Sequence, residues 1–217
     1  MSDLPPSSRL SLPLETGIHL LLRIFTGKQV LGEPPRAPQD GPPRPVIYYA
    51  NHASHLDAPL IWYALPRVLR RLTHPVAGMD YWEKSRARRF LANRVFNVLM
   101  LERAREGSCH TNRLASLIQS LQHGESLILF PEGTRSTEDH VADFKPGLYH
   151  LHQQVPEAIL IPVYLAHLRR VLPKGASIPL PCQCQVCFGQ PLADPEEKED
   201  KSRFLTRARE ALISLAP

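Results

Sequence analysis

The sequence predicts an α/β domain, a central mostly parallel or mixed sheet flanked by helices. Short apolar runs alternate with amphipathic segments from Pro45 onward, the pattern of strands and covering helices. The runs at 126–130 and 158–163 are continuously rather than alternately apolar, as expected of strands buried on both faces. With 217 residues, 43% of them hydrophobic, the chain is long enough for one domain with its own core.

Taken in order, residues 1–44 carry Pro5-Pro6, Pro34-Pro35, Pro38 and Pro42-Pro43 and read as irregular chain or linker, with residues 45–217 as the folded domain. Within the first segment the apolar stretch 18–25 is interrupted by His19 and Arg23, and it is far shorter than the roughly 20 apolar residues that cross a bilayer. It is expected to lie on a membrane surface or to pack on the domain. The β-branched and aromatic run 46–49 reads as a strand and 59–65 as a helix. An apolar segment at 73–78 precedes a basic amphipathic helix near 84–96 and a short strand at 98–101. Leu114, Leu117, Ile118 and Leu121 share one face of a helix over 112–122. A strand at 126–130, a polar turn, a helix over 147–154, a strand at 158–163 and a last helix at 201–215 complete the domain.

A net charge of +5 favours anionic partners without choosing among phospholipid, nucleic acid and an acidic carrier protein. Arg67, Arg70, Arg71, Lys84, Arg86, Arg88, Arg89 and Arg94 fall in one stretch, interleaved with Trp82, Phe90, Leu91, Val95 and Phe96. That mixture suits a headgroup boundary, although a solvated helix face produces a similar pattern. The start, Met1-Ser2-Asp3-Leu4-Pro5-Pro6, lacks the basic and apolar regions of a secretory signal, so an intracellular chain with reduced cysteines is expected. Of four cysteines, Cys109 stands alone, while Cys182, Cys184 and Cys187 form a C-x-C-x-x-C cluster without a second knuckle, whose alternation over 182–186 fits a strand with small buried thiols on one face better than a metal site.

Chemistry is concentrated at two strand ends. His52 and Asp57, five positions apart after the 46–49 strand, have the composition of a general base: an imidazole that titrates near neutrality and a carboxylate to fix its tautomer. Ser54-x-x-Asp57 also satisfies a helix capping box, so a purely structural role competes with catalysis. After the 126–130 strand comes Pro131-Glu132-Gly133-Thr134-Arg135-Ser136. There a glycine permits close approach of the backbone, two hydroxyls can donate, and a guanidinium matches phosphate oxygens. Arg103, just after the strand ending at Leu101, is a second cation at a strand end, and Lys145 in Phe144-Lys145-Pro146-Gly147 is a third, although a plain helix start is the stronger reading there. His55 lies i, i+2 from Asp57, which points the two side chains apart in a helical turn; a metal site from His52, His55 and Asp57 is the weaker alternative. Nucleotide-binding glycine motifs and G-x-S-x-G are absent.

The order H-x-x-x-x-D, then E-G-T-R, then an apolar strand with a proline resembles the glycerolipid acyltransferase family, which includes 1-acylglycerol-3-phosphate acyltransferases. Asn51, His52 and Asp57 match its first block, the segment Phe130 to Arg135 its third, and Ile159-Leu160-Ile161-Pro162-Val163 its fourth. In the second block Arg103 matches the terminal arginine, Asn97 stands where glycine is usual, and Leu99-Met100-Leu101 replaces a Phe-containing core. The resemblance covers about residues 45 to 165. It implies a glycerol-phosphate acyltransferase-like fold, His52 and Asp57 as catalytic residues, and Arg103, Glu132, Gly133, Thr134, Arg135 and Lys145 at the lysophospholipid acceptor. It further implies acyl-CoA or acyl carrier protein as co-substrate with no other cofactor or metal. The expected location is the cytoplasmic face of an anionic membrane, peripherally bound, with no nucleic-acid partner. A hydrolase with the same base and a non-catalytic lipid-binding protein of the same fold are the rival classes.

Overall fold

The computed structural model describes residues 17, 20, 27, 29–32, 44–78, 97–101, 110–136, 140–171, 182–194 and 199–217. Among these residues the chain runs β1 (Gln29–Leu31), β2 (Val46–Ala50), α1 (Asp57–Ala64), α2 (Arg67–Arg70), β3 (Thr73–Gly78), β4 (Leu99–Leu101), α3 (His110–Gln122), β5 (Ser126–Leu129), α4 (Gly147–Gln154), β6 (Ile159–Ala166), α5 (Leu168–Val171), β7 (Gln185–Phe188) and α6 (Lys201–Ile213). The expected basic helix near 84–96 and Arg103 lie outside the described residues, as do Cys109 and most of 18–25.

The strands form one mixed sheet in the order β1-β7-β6-β2-β5-β3-β4. Strands β2 to β6 all run the same way, and only the β6–β7 pairing is antiparallel, so β7 and its parallel neighbour β1 are reversed. β1 takes the sheet further back along the chain than the expected domain start at Pro45, with Val30 opposite Val186.

Every residue of β2 is buried, as its continuous apolar run requires. Val46, Tyr48 and Ala50 pack on one face with Leu60, Ile61 and Tyr63 of α1, and with Leu168 and Val171 of α5. Ile47 and Tyr49 pack on the other with Leu117 and Leu121 of α3, Leu148 and Leu151 of α4, and Phe204, Ala208 and Leu212 of α6. Period-2 alternation of the strand thus feeds two helical layers. Helix α6 shows the complementary period, burying Phe204, Ala208 and Leu212 at successive turns, and its start is capped by Asp200, whose Oδ1 accepts the Arg203 N–H at 2.8 Å.

This topology creates the site. After β2 the chain departs to the α1 face, and after its neighbour β5 it departs to the α4 face. Between the carboxyl ends of such strands a crevice opens, which is where open α/β sheets hold ligands.

Candidate active site

His52 and Asp57 lie in and beside that crevice. Asn51 prepares the turn: its side-chain amide donates to the Leu165 carbonyl at 3.0 Å and accepts the Leu165 N–H at 2.7 Å, acting as one more rung between β2 and β6. The chain then turns through 51–56 and enters α1 at Asp57.

Asp57 is fully buried, and its Oδ2 accepts from His52 Nδ1 at 2.8 Å, from the Ala53 N–H at 2.6 Å and from the Ser54 N–H at 2.8 Å. The capping box expected from sequence is not formed, because α1 begins at Asp57 with Leu56 in the cap position and no side-chain cap bond; Asp57 Oδ2 instead closes the turn before the helix and holds the imidazole with the same oxygen. Hydrogen bonds of this charge-assisted kind are worth about 1.5–3 kcal/mol each. The carboxylate assigns the proton to Nδ1 and leaves Nε2 with its lone pair. The imidazole is one-quarter exposed and stacks on the Phe130 ring, centroids 4.2 Å apart and planes at 21°. It is held on one edge and one face, with the base nitrogen on the opposite edge.

The second segment folds over the first. Glu132 is buried; its Oε1 accepts the His52 N–H at 2.7 Å and its Oε2 accepts the Ala142 N–H at 3.0 Å. Ser136 donates its N–H to the His52 carbonyl at 2.8 Å, so both main-chain groups of His52 are bound from this loop. Gly133 has φ +73, a left-handed conformation that glycine adopts without steric cost. A Cβ there would lie 2.8 Å from Lys145 Cδ, because the Lys145 side chain crosses directly over the glycine. Lys145 is anchored by its N–H to the Pro131 carbonyl at 2.8 Å. Thr134 and Lys145 are exposed and Arg135 half-buried; the loop that carries Thr134 and Arg135 is tied to the His52 main chain, but none of these three side chains is among the residues that wall the cleft at His52.

A cleft of about 310 Å³ opens at His52, walled by Ser136, His140, Val141, Tyr164 and His167. His167, at the end of β6, has φ +67, which turns the chain sharply at the cleft wall. Of these only Ser136 was singled out from the sequence; His140, Val141, Tyr164 and His167 carry no local pattern, since they converge from a loop and from the β6 end, segments well separated in the chain. Phe130 had a signal, its place before Pro131-Glu132, but not one that foretold stacking under the imidazole.

Other expected residues lie elsewhere. Arg67, Arg70 and Arg71 precede β3, at the amino end of the parallel strands, whereas His52 lies at the carboxyl end of β2. There Arg70 lies 5.4 Å over the Trp62 ring, and Val68 and Leu72 are exposed. Cys182, Cys184 and Cys187 are free thiols; Cys184 and Cys187 are buried, and burial pushes the Cys184 thiol up to about 12, assisted by Cys182 and Asp57. No helix among the described residues is long and apolar enough to cross a membrane.

Fold and site together define an α/β protein with a carboxylate-held imidazole at a switch point and a cation-bearing turn beside it. A family model described as "Acyltransferase" matches residues 33–166, more than half of the chain, and the chain belongs to that family. It is 27% identical over 183 residues to a 1-acyl-sn-glycerol-3-phosphate acyltransferase of Chlamydomonas reinhardtii, covering 81% of this chain and 50% of the relative. It is 28% identical over 150 residues to the protein named "Taffazin" of Dictyostelium discoideum, covering 64% of this chain and 50% of the relative. The chain therefore spans about half the length of each of these relatives. Its fold matches the crystal structure of PlsC from Thermotoga maritima, described as a 1-acyl-sn-glycerophosphate acyltransferase, with a TM-score of 0.69 at 23% identity over 92% of this chain and 77% of that one.

Proposed function

We propose that the protein transfers a fatty acyl group from an acyl thioester, acyl-CoA or acyl carrier protein, to the hydroxyl of a lysophospholipid, 1-acylglycerol-3-phosphate being the best-matched acceptor. The observation that carries this reading is the 2.8 Å bond between His52 Nδ1 and a buried Asp57 beside an open cleft. His52 Nε2 takes the proton of the acceptor hydroxyl, and the oxygen attacks the thioester carbonyl to form a tetrahedral oxyanion. Collapse expels the thiolate, which recovers the proton from the imidazolium. A thioester is already activated, so no protein nucleophile is required, and the main tasks are positioning the hydroxyl and stabilising charge.

In this reading Arg135, Thr134 and Lys145, with Arg103, bind the phosphate of the acceptor, and Gly133 allows the backbone and the Lys145 side chain to approach it. Glu132 contributes by position: its two oxygens accept main-chain N–H groups of His52 and Ala142. The basic and apolar residues within 67–96 would bring the protein to an anionic membrane as a peripheral partner.

The test is incubation of purified protein with each acyl donor and a panel of lysolipids, with products identified by mass. Acylated lipid is expected with wild type and not with His52→Ala, and a chelator should leave transfer unchanged. Thioester loss without acylated lipid would mean a hydrolase. If Arg135→Ala impaired phosphate-bearing and phosphate-free acceptors equally, the phosphate role of that side chain would be lost.

A further inference from the structure

Glu132, which holds the amide of His52, is itself held from the far end of the chain. Arg209 on α6 donates from Nε to the Val141 carbonyl at 3.1 Å and to the Ala142 carbonyl at 3.3 Å, and from Nη2 to the Val141 carbonyl at 2.6 Å. Ala142 in turn donates its N–H to Glu132 Oε2, and Glu132 Oε1 accepts the His52 N–H. An unbroken hydrogen-bonded path thus runs from the C-terminal helix through residues 141–142 and Glu132 to the main chain of the base. Its outer end is firm, because α6 is seated by the buried Phe204, Ala208 and Leu212 on either side of Arg209 in sequence.

The chemistry of the path is particular to arginine. A planar guanidinium reaches two successive carbonyls at once, whereas an ammonium, a compact point charge, does not reproduce that fork. The nearest carboxylate, Asp143, stands 3.8 Å away and is fully exposed, so the carbonyl bonds rather than an ion pair define the Arg209 geometry. Val141 also walls the cleft at His52, so the segment Arg209 holds is part of the site itself.

We infer that Arg209 is a positioning residue: α6, through Arg209 and Glu132, sets the placement of the His52 base. This rests on the reading of His52 as the base. A displacement of about 1 Å in a reacting group costs up to about 100-fold in rate, so a brace of this kind is felt in turnover before it is felt in binding.

The experiment uses the full chain. Hydrogen exchange of the substrate-free protein is compared for wild type, Arg209→Ala and Arg209→Lys at the amides of His52 and Ala142, with Ile47 in β2 as an internal reference. Arg209→Ala is expected to speed exchange at His52 and Ala142 by about tenfold or more while Ile47 is unchanged, as a local opening requires, and Arg209→Lys to restore part of the protection. In acyl transfer kcat is expected to fall about tenfold with KM within about twofold, and a Glu132→Gln/Arg209→Ala double variant to lose no more than Glu132→Gln alone. Unchanged protection at His52, faster exchange confined to 141–143, or additive losses in the double variant would overturn the inference. Should Arg209→Ala fail to fold, Arg209→Lys carries the same comparison. If the exchange pattern appears but wild type transfers no acyl group, the acyl-transfer reading fails and the brace stands.

Discussion

The turn after β2 and the turn after β5 leave neighbouring strands for opposite faces of the sheet, and they are held by opposite means. In the first, Asp57 binds residues three to five positions before it, so the turn is closed by its own carboxylate. In the second, Glu132 reaches across to an amide 80 residues away and to another ten residues on, so its loop is closed by distant chain. A self-contained turn fixes which nitrogen of His52 bears the proton; a turn tied at long range fixes where the whole histidine sits.

The largest expected effect separates those two functions within the first turn. Asp57→Asn keeps an oxygen for the Ala53 and Ser54 N–H groups but loses the charge that stabilises the imidazolium and sets an amide NH₂ at the buried, unpartnered Oδ1 position, so turnover should fall by about 10³–10⁴-fold, far more than a stability loss of about 1–3 kcal/mol accounts for. A variant that melted early and kept its rate per folded molecule would reverse the assignment.

Next is Glu132→Gln, which places an amide NH₂ against a main-chain N–H. Leaving such a buried group unpaired costs about 1–3 kcal/mol, and a displaced His52 should lower kcat by about 10- to 100-fold. Calorimetry alongside kinetics checks it: lost stability with unchanged kcat would reduce this loop to scaffolding.

Gly133→Ala should be milder. Left-handed backbone costs an alanine about 1–2 kcal/mol, and the flexible end of Lys145 must move aside. The change should appear in KM for phosphate-bearing acceptors more than in kcat.

The smallest effect concerns the layer under the second turn. His152 of α4 is buried and stacked on Phe204 of α6, centroids 5.3 Å apart, and burial holds its pKa below the ordinary value. The unfolded chain therefore takes up this proton first on acidification. The stability contributed is complete above about pH 6.5 and is lost as pH falls through the depressed folded value. Melting temperature should decline below about pH 6.5, and His152→Gln should flatten that decline. If the slope were the same in the variant, another group would be responsible.

The comparison also explains what could be read in advance. His52 and Asp57 were legible because they share one short turn between a buried strand and a helix, and the 114, 117, 118, 121 pattern placed α3 for an equally local reason. Asn97 was noted as standing in a glycine position. Its φ of +47 supplies the reason, since asparagine is among the side chains that best tolerate that conformation. The reversed pair β1 and β7 was not legible: β1 is three residues long, and strand direction is decided by partners rather than by composition. Nor were the partners of Glu132 or the hold of Arg209 on 141–142, because hydrogen bonds spanning 80 and 68 positions leave no periodicity in the chain.

Asp57 is at once the first residue of α1 and the acceptor for the His52 ring. Successive helical residues are rotated by about 100° around the axis, so the direction of this carboxylate is a matter of helical phase. Adding or removing one residue between His52 and Asp57 would swing it out of reach even if α1 re-formed intact. Loop length, usually the most forgiving dimension of a fold, is here an angular setting, and drift in the length of this turn is closed to the protein as a route of variation.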